Sequence, residues 1–285
     1  MDSLDAFVAY DELAIPPLGA LGWTVDTVSW CADADWAAYD VVVIRTPWDY
    51  QDHPEAFLEV LERIDRSTRL ENGLDVVRWN LDKAYLRDLE ARGVPIVPTR
   101  WLDQLGADAL ADLFDALGTD EVVVKPSVSA NADGTFRLRR GDRDRQLEAV
   151  RALAAHTAAG RGVMAQPFVP AVVEEGEYSV FAFAGEVSHA ILKTPASGDF
   201  RVQEEHGGRI RGVEPAPELA AAADRAFAAV EAAVGQTLLY ARADLVRWAG
   251  DWVVMEMELI EPSLYFPFGD GSAARFARAL DDLVP

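Results

Sequence analysis

Two glutamates in an otherwise apolar run constrain the fold of this chain more than any other feature. The segment 254–260 reads VMEMELI, in which Glu256 and Glu258 alternate with methionine and leucine. Side chains two positions apart on a β-strand share one face, so both carboxylates point to the same side of a strand whose composition predicts burial. Unpaired buried charge is costly. The fold must therefore place a cation opposite this pair.

The preceding segment supplies a third carboxylate if the two segments form a hairpin. A three-residue turn over 249–251 pairs Trp248 with Trp252, a favourable cross-strand contact. Counting back from this pair places Asp244 opposite Glu256, whereas a two-residue turn would send Asp244 to the other face. Three convergent carboxylates favour Mg²⁺, a hard cation with oxygen ligands. The alternative is a solvated sheet face that carries ordinary salt bridges.

Composition excludes several classes of function. The 285 residues are 50% hydrophobic, enough for a large core in two or three subdomains, and no apolar run is long enough to span a membrane. A formal net charge of −22 repels nucleic acid and anionic membranes, so we expect neither as a partner. The acidic N-terminus is unlike a signal peptide. The single cysteine, Cys31, fits a reducing cytoplasm, which is the expected location.

Lysine is rare in this chain, and its positions are informative. Of 26 basic residues, only Lys83, Lys125 and Lys193 are lysine. Lysine is a compact point charge suited to phosphate oxygens, whereas arginine is a planar fork. Lys125 ends the strand-like run EVVVKP and precedes a small polar stretch, SVSANADGTF. Together with a carboxylate-held Mg²⁺, these features are typical of a nucleoside triphosphate site, although neither GxxxxGK[ST] nor GxGxxG is present.

Hydrophobic periodicity predicts a mixed chain of strands and helices. Strand-like runs occupy 6–10, 23–30 and 40–45, and a helical pattern follows from 54 to 64. Further helices are predicted over 81–92, 104–117, 144–159 and 217–234, with a short helix at the C-terminus. Strands are predicted at PIVPT, EVVVKP, GVMAQPF and in two hairpins, the first turning at Ala184-Gly185-Glu186.

Six motifs, in order along the chain, resemble the ATP-grasp superfamily and, within it, bacterial glutathione synthetase. They are VVVIRTPWDY, WNLDKAYL, VVVKPSVSANADGTF, AQPFVPAVVEEGEYSV, KTPASGDFRVQEEHGG, and RADLV with MEMELIEPS. The resemblance implies an ATP-grasp fold of the α/β (α+β) class in four parts. These are an N-terminal open α/β domain on the substrate side (1–75), linker helices and a strand (76–118), a small ATP-lid subdomain (119–172), and a C-terminal antiparallel-sheet domain with the metal site (173–285).

The resemblance also implies an activity, that of an ATP-dependent carboxylate–amine ligase. Such an enzyme forms an amide on a small amino-acid-like substrate through an acyl phosphate and releases ADP and phosphate. Its cofactors would be ATP and Mg²⁺, with two ions expected and Mn²⁺ able to substitute, and the resemblance is compatible with a homo-oligomer. A nucleotide-binding module without catalysis is an alternative.

The chain departs from glutathione synthetase at informative places. Glu258 stands where that enzyme has asparagine, and RTPWDY and IEPSLYF carry additional aromatic residues. These features resemble a branch of ATP-grasp ligases that includes the O-ureido-serine cyclo-ligase of cycloserine biosynthesis, which closes a ring within one substrate. An intramolecular cyclo-ligase is therefore the second alternative.

Matching positions give each candidate site residue an expected role. Those expected to hold ATP are Lys83, Lys125, Ser127, Ser129, Gly134, Gln166, Phe168, Val169 and Glu177. Those expected to hold the substrate carboxylate and the acyl phosphate are Arg45, Lys193 and Arg201. Those expected to hold Mg²⁺ are Asp244, Glu256 and Glu258. Glu261 is expected to lie near the substrate at the end of the strand.

Overall fold

The computed structural model describes residues 8–129 and 132–284, without the side chains of residues 107 and 108. The start of the predicted strand 6–10 and residues 130–131 of the polar loop lie outside this range. The strands are β1 Val41–Val43, β2 Arg69–Glu71, β3 Arg100–Leu102, β4 Glu121–Pro126, β5 Phe136–Arg139, β6 Val163–Pro167, β7 Glu177–Phe183, β8 Glu186–Thr194, β9 Arg209–Val213, β10 Tyr240–Trp248 and β11 Asp251–Glu258. The α-helices are α1 Ile15–Ala20, α2 Pro54–Ser67, α3 Leu74–Asn80, α4 Tyr85–Ala91, α5 Ala107–Ala116, α6 Arg143–Ala158, α7 Ala171–Glu174, α8 Pro217–Val234 and α9 Ser272–Leu283. None of the helices in these ranges is long and apolar enough to cross a membrane.

The largest sheet has five antiparallel strands in the order β11-β10-β7-β8-β9. Strands β7, β8, β10 and β11 are mostly buried, as expected for a sheet covered on both sides, whereas β9 is mostly exposed. Helix α8, predicted over 217–234 and confirmed with those bounds, buries Leu219, Ala223 and Phe227 in the core on one face. Helix α9 buries Phe276 and Leu280 in a second core on the other face. The functional strands are therefore held between two hydrophobic layers.

A second sheet has four antiparallel strands in the order β3-β6-β4-β5. Helices α5 and α6 pack on it, and Leu110, Phe114 and Leu153 form a separate core with the strands. The predicted strand EVVVKP is confirmed as β4. The first strand, β3, comes from the stretch expected to be a linker, so this sheet begins before residue 119.

The N-terminal part contains less sheet than the sequence predicts. Within residues 8–75, β1 and β2 are the only strands that pair, and they do so in parallel, with α2 packed beside them. The predicted strand over 23–30 is wrong. Its two tryptophans are instead anchored by side chains: the Trp23 indole N–H donates to Asp281 and that of Trp30 donates to Asp49. Alternation alone did not reveal that this segment pairs with no strand among the residues that the structure describes.

The closing hairpin has a different turn from the predicted one. Trp248 pairs with Asp251, so the turn has two residues, Ala249 and Gly250, both with positive φ (52° and 94°). The predicted Trp248–Trp252 pair is therefore wrong. The predicted pairing of Asp244 with Glu256 is nevertheless confirmed.

A β-bulge reconciles these two observations. Leu245 pairs with Val254 and Asp244 with Glu256, so Met255 is the extra residue on β11. A bulge moves the following residues of its strand to the opposite face. Met255 lines a cavity. The bulge restores the alignment that a two-residue turn would have destroyed.

Two further predictions about elements need correction. The predicted helix 81–92 is shorter, as α4, and a helix that was not predicted, α3, precedes it, with residues 81–84 between them. The predicted strand PIVPT provides a single bridge, from Ile96 to Val254, rather than a regular strand. The first hairpin is confirmed as β7 and β8, joined at residues 184–185.

Candidate active site

One cavity lies between the two sheets and collects most of the predicted site residues. Those that line it are Lys83, Lys125, Ser129, Gln166, Phe168, Val169, Glu177, Lys193, Arg201, Asp244, Glu256 and Glu258. The remaining three, Arg45, Ser127 and Gly134, do not line it. Strands β4 and β6 contribute from the lid side, and β7, β8, β10 and β11 contribute from the opposite sheet.

Two lysines converge on one glutamate at the centre of the cavity. The Lys83 ammonium lies 3.1 Å from the Glu256 carboxylate, and that of Lys125 lies 3.9 Å from the other oxygen of the same group. Burial raises the pKa of Glu256, but Lys83 and Lys125 outweigh burial and hold it below its usual value. Lys83 and Lys125 therefore face the glutamate that is expected to hold Mg²⁺.

The third lysine lies deeper, in a fully paired network. Lys193 is 3% exposed, and its ammonium lies 2.6 Å from Glu177 and 3.1 Å from Asp244. Asp244 also accepts from Arg242 at 2.9 Å and from the Ser179 hydroxyl at 2.5 Å. Burial opposes ionisation of Asp244, yet Arg242 and Lys193 keep its pKa well below the usual range. Lys193 and Glu177 thus contact each other rather than open space.

Negative charge is in excess at Glu258. Its carboxylate contacts Arg242, yet burial, together with Asp244 and Glu256, raises the pKa of Glu258 to about 7. Carboxylate oxygens are the ligands that Mg²⁺ prefers, so the chemistry of the donor set fits this ion. Within the described ranges, no three carboxylates stand close enough together to hold a metal as they are. A metal ion held by Glu256 and Glu258 would require both side chains to turn from their basic partners.

An apolar slot lies beside the two central lysines. Val123, Phe168, Val172 and Met255 line it, and Gln166 is held there by a hydrogen bond from its amide to Thr99 at 3.1 Å. Aliphatic and aromatic walls next to paired ammonium groups suit a flat base joined to phosphates. The residues present therefore fit a nucleoside triphosphate.

Three predicted residues have other partners in this structure. Arg45 donates to Asp11 at 3.0 Å and to the carbonyl of Pro262 at 2.7 Å. The Ser127 hydroxyl donates to Asp82 at 2.9 Å. Neither these two residues nor Gly134 lines the cavity in this structure, so their expected site roles stay predictions. Each has a physical role instead: Arg45 and Ser127 tie neighbouring segments together, and Gly134, at φ 63°, turns the loop after β4.

The substrate end of the cavity is closed by segments from distant parts of the chain. The Tyr10 phenol donates to Glu204 at 3.3 Å, joining the N-terminal segment to the loop after β8. In that loop the Arg201 guanidinium donates to Asp199 at 2.8 Å. Arg201 lines the cavity, as predicted, but its charge is already paired.

Sequence reasoning gave no firm role to several residues at this end. Trp48, Tyr50, Ser263 and Tyr265 line the cavity together with Glu261. The available signal was the excess of aromatic residues in RTPWDY and IEPSLYF, which cannot by itself separate a cavity wall from core packing. The position expected for Glu261, near the substrate and beyond β11, agrees with its place in the cavity lining.

Side chains hold the outer edge of β11. The Asn80 amide donates to the carbonyl of Met257 at 2.9 Å and its oxygen accepts from Leu259 N at 3.0 Å. The Tyr85 phenol both donates to and accepts from the backbone of Met257. These groups act as a neighbouring strand would, so the strand that bears both glutamates is fixed along two edges.

Comparison with known proteins agrees with this geometry. Residues 1–72 match the family model of the D-cycloserine synthetase DcsG N-terminal domain, and residues 107–227 match that of the prokaryotic glutathione synthetase ATP-grasp domain. The chain is 36% identical over 294 residues to the cycloserine biosynthesis protein DcsG of Streptomyces lavendulae, covering 98% of this chain and 95% of that protein.

Solved structures show the same relationship. The crystal structure of D-cycloserine synthetase DcsG matches with a TM-score of 0.86 and 35% identity, covering 96% of this chain and 94% of the other. The D-alanine–D-alanine ligase of Bacillus anthracis complexed with ATP matches with a TM-score of 0.62 and 18% identity over 96% and 92% of the two chains, which shows a shared fold. This chain belongs to the ATP-grasp ligases and, among them, to the family of the cycloserine synthetase DcsG.

Proposed function

We propose that this enzyme is an ATP- and Mg²⁺-dependent cyclo-ligase that activates the carboxylate of a small amino-acid-like substrate and closes a ring onto a nitrogen of the same molecule. The observation that carries the proposal is the 36% identity to DcsG over nearly the whole chain, including the N-terminal segment that closes the substrate end of the cavity. O-Ureido-serine is the first substrate to test.

The basic residues of the cavity would perform the first step. In the proposed step, the substrate carboxylate attacks the γ-phosphate of ATP, giving an acyl phosphate and ADP. Lys83 and Lys125 already converge within 4 Å of Glu256. They would offset charge on the transferring phosphoryl group, since catalysis of such transfers is mainly positioning and electrostatic stabilisation.

Glu256 and Glu258 would hold the metal, and Asp244 would join them on release from Lys193. When bound, Mg²⁺ would neutralise phosphate oxygens and orient them. We propose two ions, with Mn²⁺ able to replace Mg²⁺, because the donors are all carboxylates. The substrate nitrogen then attacks the acyl carbon and phosphate leaves. No nucleophile from the protein is needed, in keeping with an exposed Cys31.

The discriminating experiment is ADP release with a single substrate. Each enantiomer of O-ureido-serine is incubated with ATP and Mg²⁺ and no separate amine, and ADP and the organic product are quantified together. We expect ADP and a cyclic product in equal amounts. ADP formation that requires an added amine would instead establish the two-substrate amide ligase and reject ring closure. Nucleotide binding without ADP formation over a wide panel of carboxylates and amines would point to a binding module.

A further inference from the structure

Glu261 occupies a distinct corner of the cavity, just beyond β11. The Tyr50 phenol lies near its carboxylate and favours the ionised form, and the Trp48 indole N–H donates to its backbone carbonyl at 2.9 Å. Both aromatic residues are buried, at 6% and 7% exposure, and all three residues line the cavity. The carboxylate therefore shares its corner with a phenol and an indole.

Glu261 lacks the basic partner that the other central carboxylates have. Ion pairs are formed by Glu177, Asp244, Glu256 and Glu258. Over residues 8–129 and 132–284, Glu261 forms none. Burial and the nearby Glu258 raise the pKa of Glu261 to about 8, which reflects the same lack of a cation. Glu261 is half-buried and faces the cavity, where a carboxylate without a basic partner is costly, so its position suits a ligand of opposite charge.

Two other polar groups of the same cavity are also left without partners. In the described part of the chain, the Ser263 hydroxyl and the Gln203 side-chain oxygen are buried and make no hydrogen bond. Both residues line the same cavity as Glu261. Oxygen acceptors that lack a donor are rare in buried positions. A ligand rich in N–H donors would satisfy them.

We propose that Glu261 binds the protonated amino group of the substrate, with Trp48 and Tyr50 as aromatic walls. An ammonium has three donors and no acceptor, and it is attracted to aromatic faces as well as to a carboxylate. A second Mg²⁺ suits this corner less well, because an indole offers it no oxygen ligand. The inference rests on the proposed function, and it restricts the substrate class to amino acids with a free amino group.

Binding, measured separately from turnover, tests the assignment. Isothermal titration with Mg²⁺ and a non-hydrolysable ATP analogue compares amino acids with counterparts in which a hydroxyl replaces the amino group: serine with glycerate, alanine with lactate, and O-ureido-serine with its hydroxy analogue. The proteins are wild type, Glu261→Gln, and Asp251→Asn, which removes the same charge from an exposed site on β11. Circular dichroism checks that each variant is folded.

We expect at least one amino acid to bind wild type tenfold or more tightly than its hydroxy counterpart. Glu261→Gln should lose that preference while keeping affinity for the hydroxy acid within about twofold, and Asp251→Asn should retain it. If Glu261→Gln does not fold, Glu261→Asp replaces it, and we expect partial loss of affinity for the amino acid alone.

Three results would overturn the assignment. They are equal binding of both members of every pair to wild type, no binding by any amino acid, and equal loss of both members in Glu261→Gln. A raised Mg²⁺ requirement in Glu261→Gln with unchanged amino-acid affinity would also reject it in favour of a metal role. Failure of the proposed function looks different, because amino acids would then bind with the expected preference while no ADP is released.

Discussion

Each lysine of this chain lies against a carboxylate of the cavity. Lys83 is 6% exposed and Lys193 is 3% exposed, and Lys125 reaches Glu256 from the lid sheet. In such an ion pair, phosphate oxygens can replace the carboxylate as the partner of the ammonium group. A phosphate entering the cavity thus finds basic groups that are already placed.

Replacing Lys125 by methionine should therefore impair the transfer step. Methionine keeps most of the side-chain length and removes the charge, so kcat for ADP release is expected to fall roughly a hundredfold or more, the scale of one lost electrostatic contact in a transition state. Steady-state ADP release measures the change. Arg151→Met, at an exposed position on α6, serves as the charge-loss control. Turnover of Lys125→Met equal to wild type would show that this lysine has no phosphate role.

His189 should make stability sensitive to acid. It is buried, its ring is stacked on Phe181, and its Nε2 lies 3.0 Å from the carbonyl of Leu264. Burial lowers the pKa of His189 to about 4. The unfolded chain, with an ordinary histidine pKa near ~6.5, binds the proton first. Stability is therefore lost as pH falls from about 6.5 to about 4, by up to about 3 kcal/mol.

The stability difference between wild type and His189→Gln isolates this contribution. Urea unfolding at several pH values should show that wild type loses its advantage over the variant as pH falls through this window. His53→Gln, at an exposed position, should run parallel to wild type. If the stability of His189→Gln also ran parallel to that of wild type over this pH range, His189 would have the same proton affinity in the folded and the unfolded protein.

At the level of elements, the turn of the closing hairpin carries strain that can be relieved. Ala249 has φ 52°, and a left-handed conformation costs an alanine about 1 kcal/mol or more. Asparagine tolerates this region and is typical before glycine in two-residue turns. Ala249→Asn is therefore expected to stabilise the protein by about 1 kcal/mol, with ADP release unchanged because the turn is exposed.

Chemical denaturation measures this gain, and a second alanine provides its control. The same substitution at Ala228, exposed within α8, should destabilise by about 0.7 kcal/mol because asparagine is a poorer helix former. A loss of stability in Ala249→Asn would contradict the turn geometry.

The same hairpin shows what could be predicted from the sequence and what could not. Alternation predicted that Glu256 and Glu258 share a face, whereas the pairing of Asp244 with Glu256 was predicted from a three-residue turn that does not form. It could not predict that a two-residue turn and a bulge at Met255 would together produce that pairing. The two-residue turn shifts the register of β11 by one residue relative to the predicted hairpin, and the bulge shifts it back. Asp244 therefore still pairs with Glu256.

Other elements show a similar limit. Helix α8 was predicted with its full bounds because its long amphipathic pattern begins at Pro217 and ends just before Gly235, so it is compatible with one helix only. The segment 23–30 alternates like a strand, yet a strand forms only where a partner strand lies beside it. The local sequence of a segment does not show whether such a partner is present. Arg45 looked like a site residue because it follows an apolar strand, and its partner Asp11 could not be foreseen from local sequence.

For the whole molecule, the position of the cavity between two separately packed sheets predicts a thermal response to nucleotide. A ligand that contacts both sheets stabilises the folded protein by about 2.7 kcal/mol at a hundred times its Kd. Mg²⁺ with ATP should therefore raise the unfolding temperature. Glu256→Gln, which removes a charge where the two central lysines meet, should reduce this increase and raise the Mg²⁺ requirement. If Mg²⁺ with ATP raised the unfolding temperature of the variant as much as that of wild type, the proposed metal role of Glu256 would be rejected.

The net charge of −22 predicts a response to salt. Self-repulsion among surface carboxylates opposes compaction, and salt screens it. Raising NaCl from about 0.05 M to about 0.5 M should increase the urea midpoint of unfolding. Sucrose at equal osmolality is the control, because it is excluded from the protein surface but does not screen charges. A midpoint that falls with salt would indicate that attractive ion pairs outweigh the repulsion.

The side chains along the outer edge of β11 also protect the molecule from its own copies. An uncovered edge strand offers unpaired N–H and C=O groups to any other strand, which is a route to aggregation. Here Asn80 and Tyr85 occupy those groups at Met257, and Pro95 and Val97 occupy them at Val254. The strand that carries Glu256 and Glu258 is thereby closed to pairing with other chains, so both carboxylates can face the cavity without a free strand edge that would promote association in a concentrated solution.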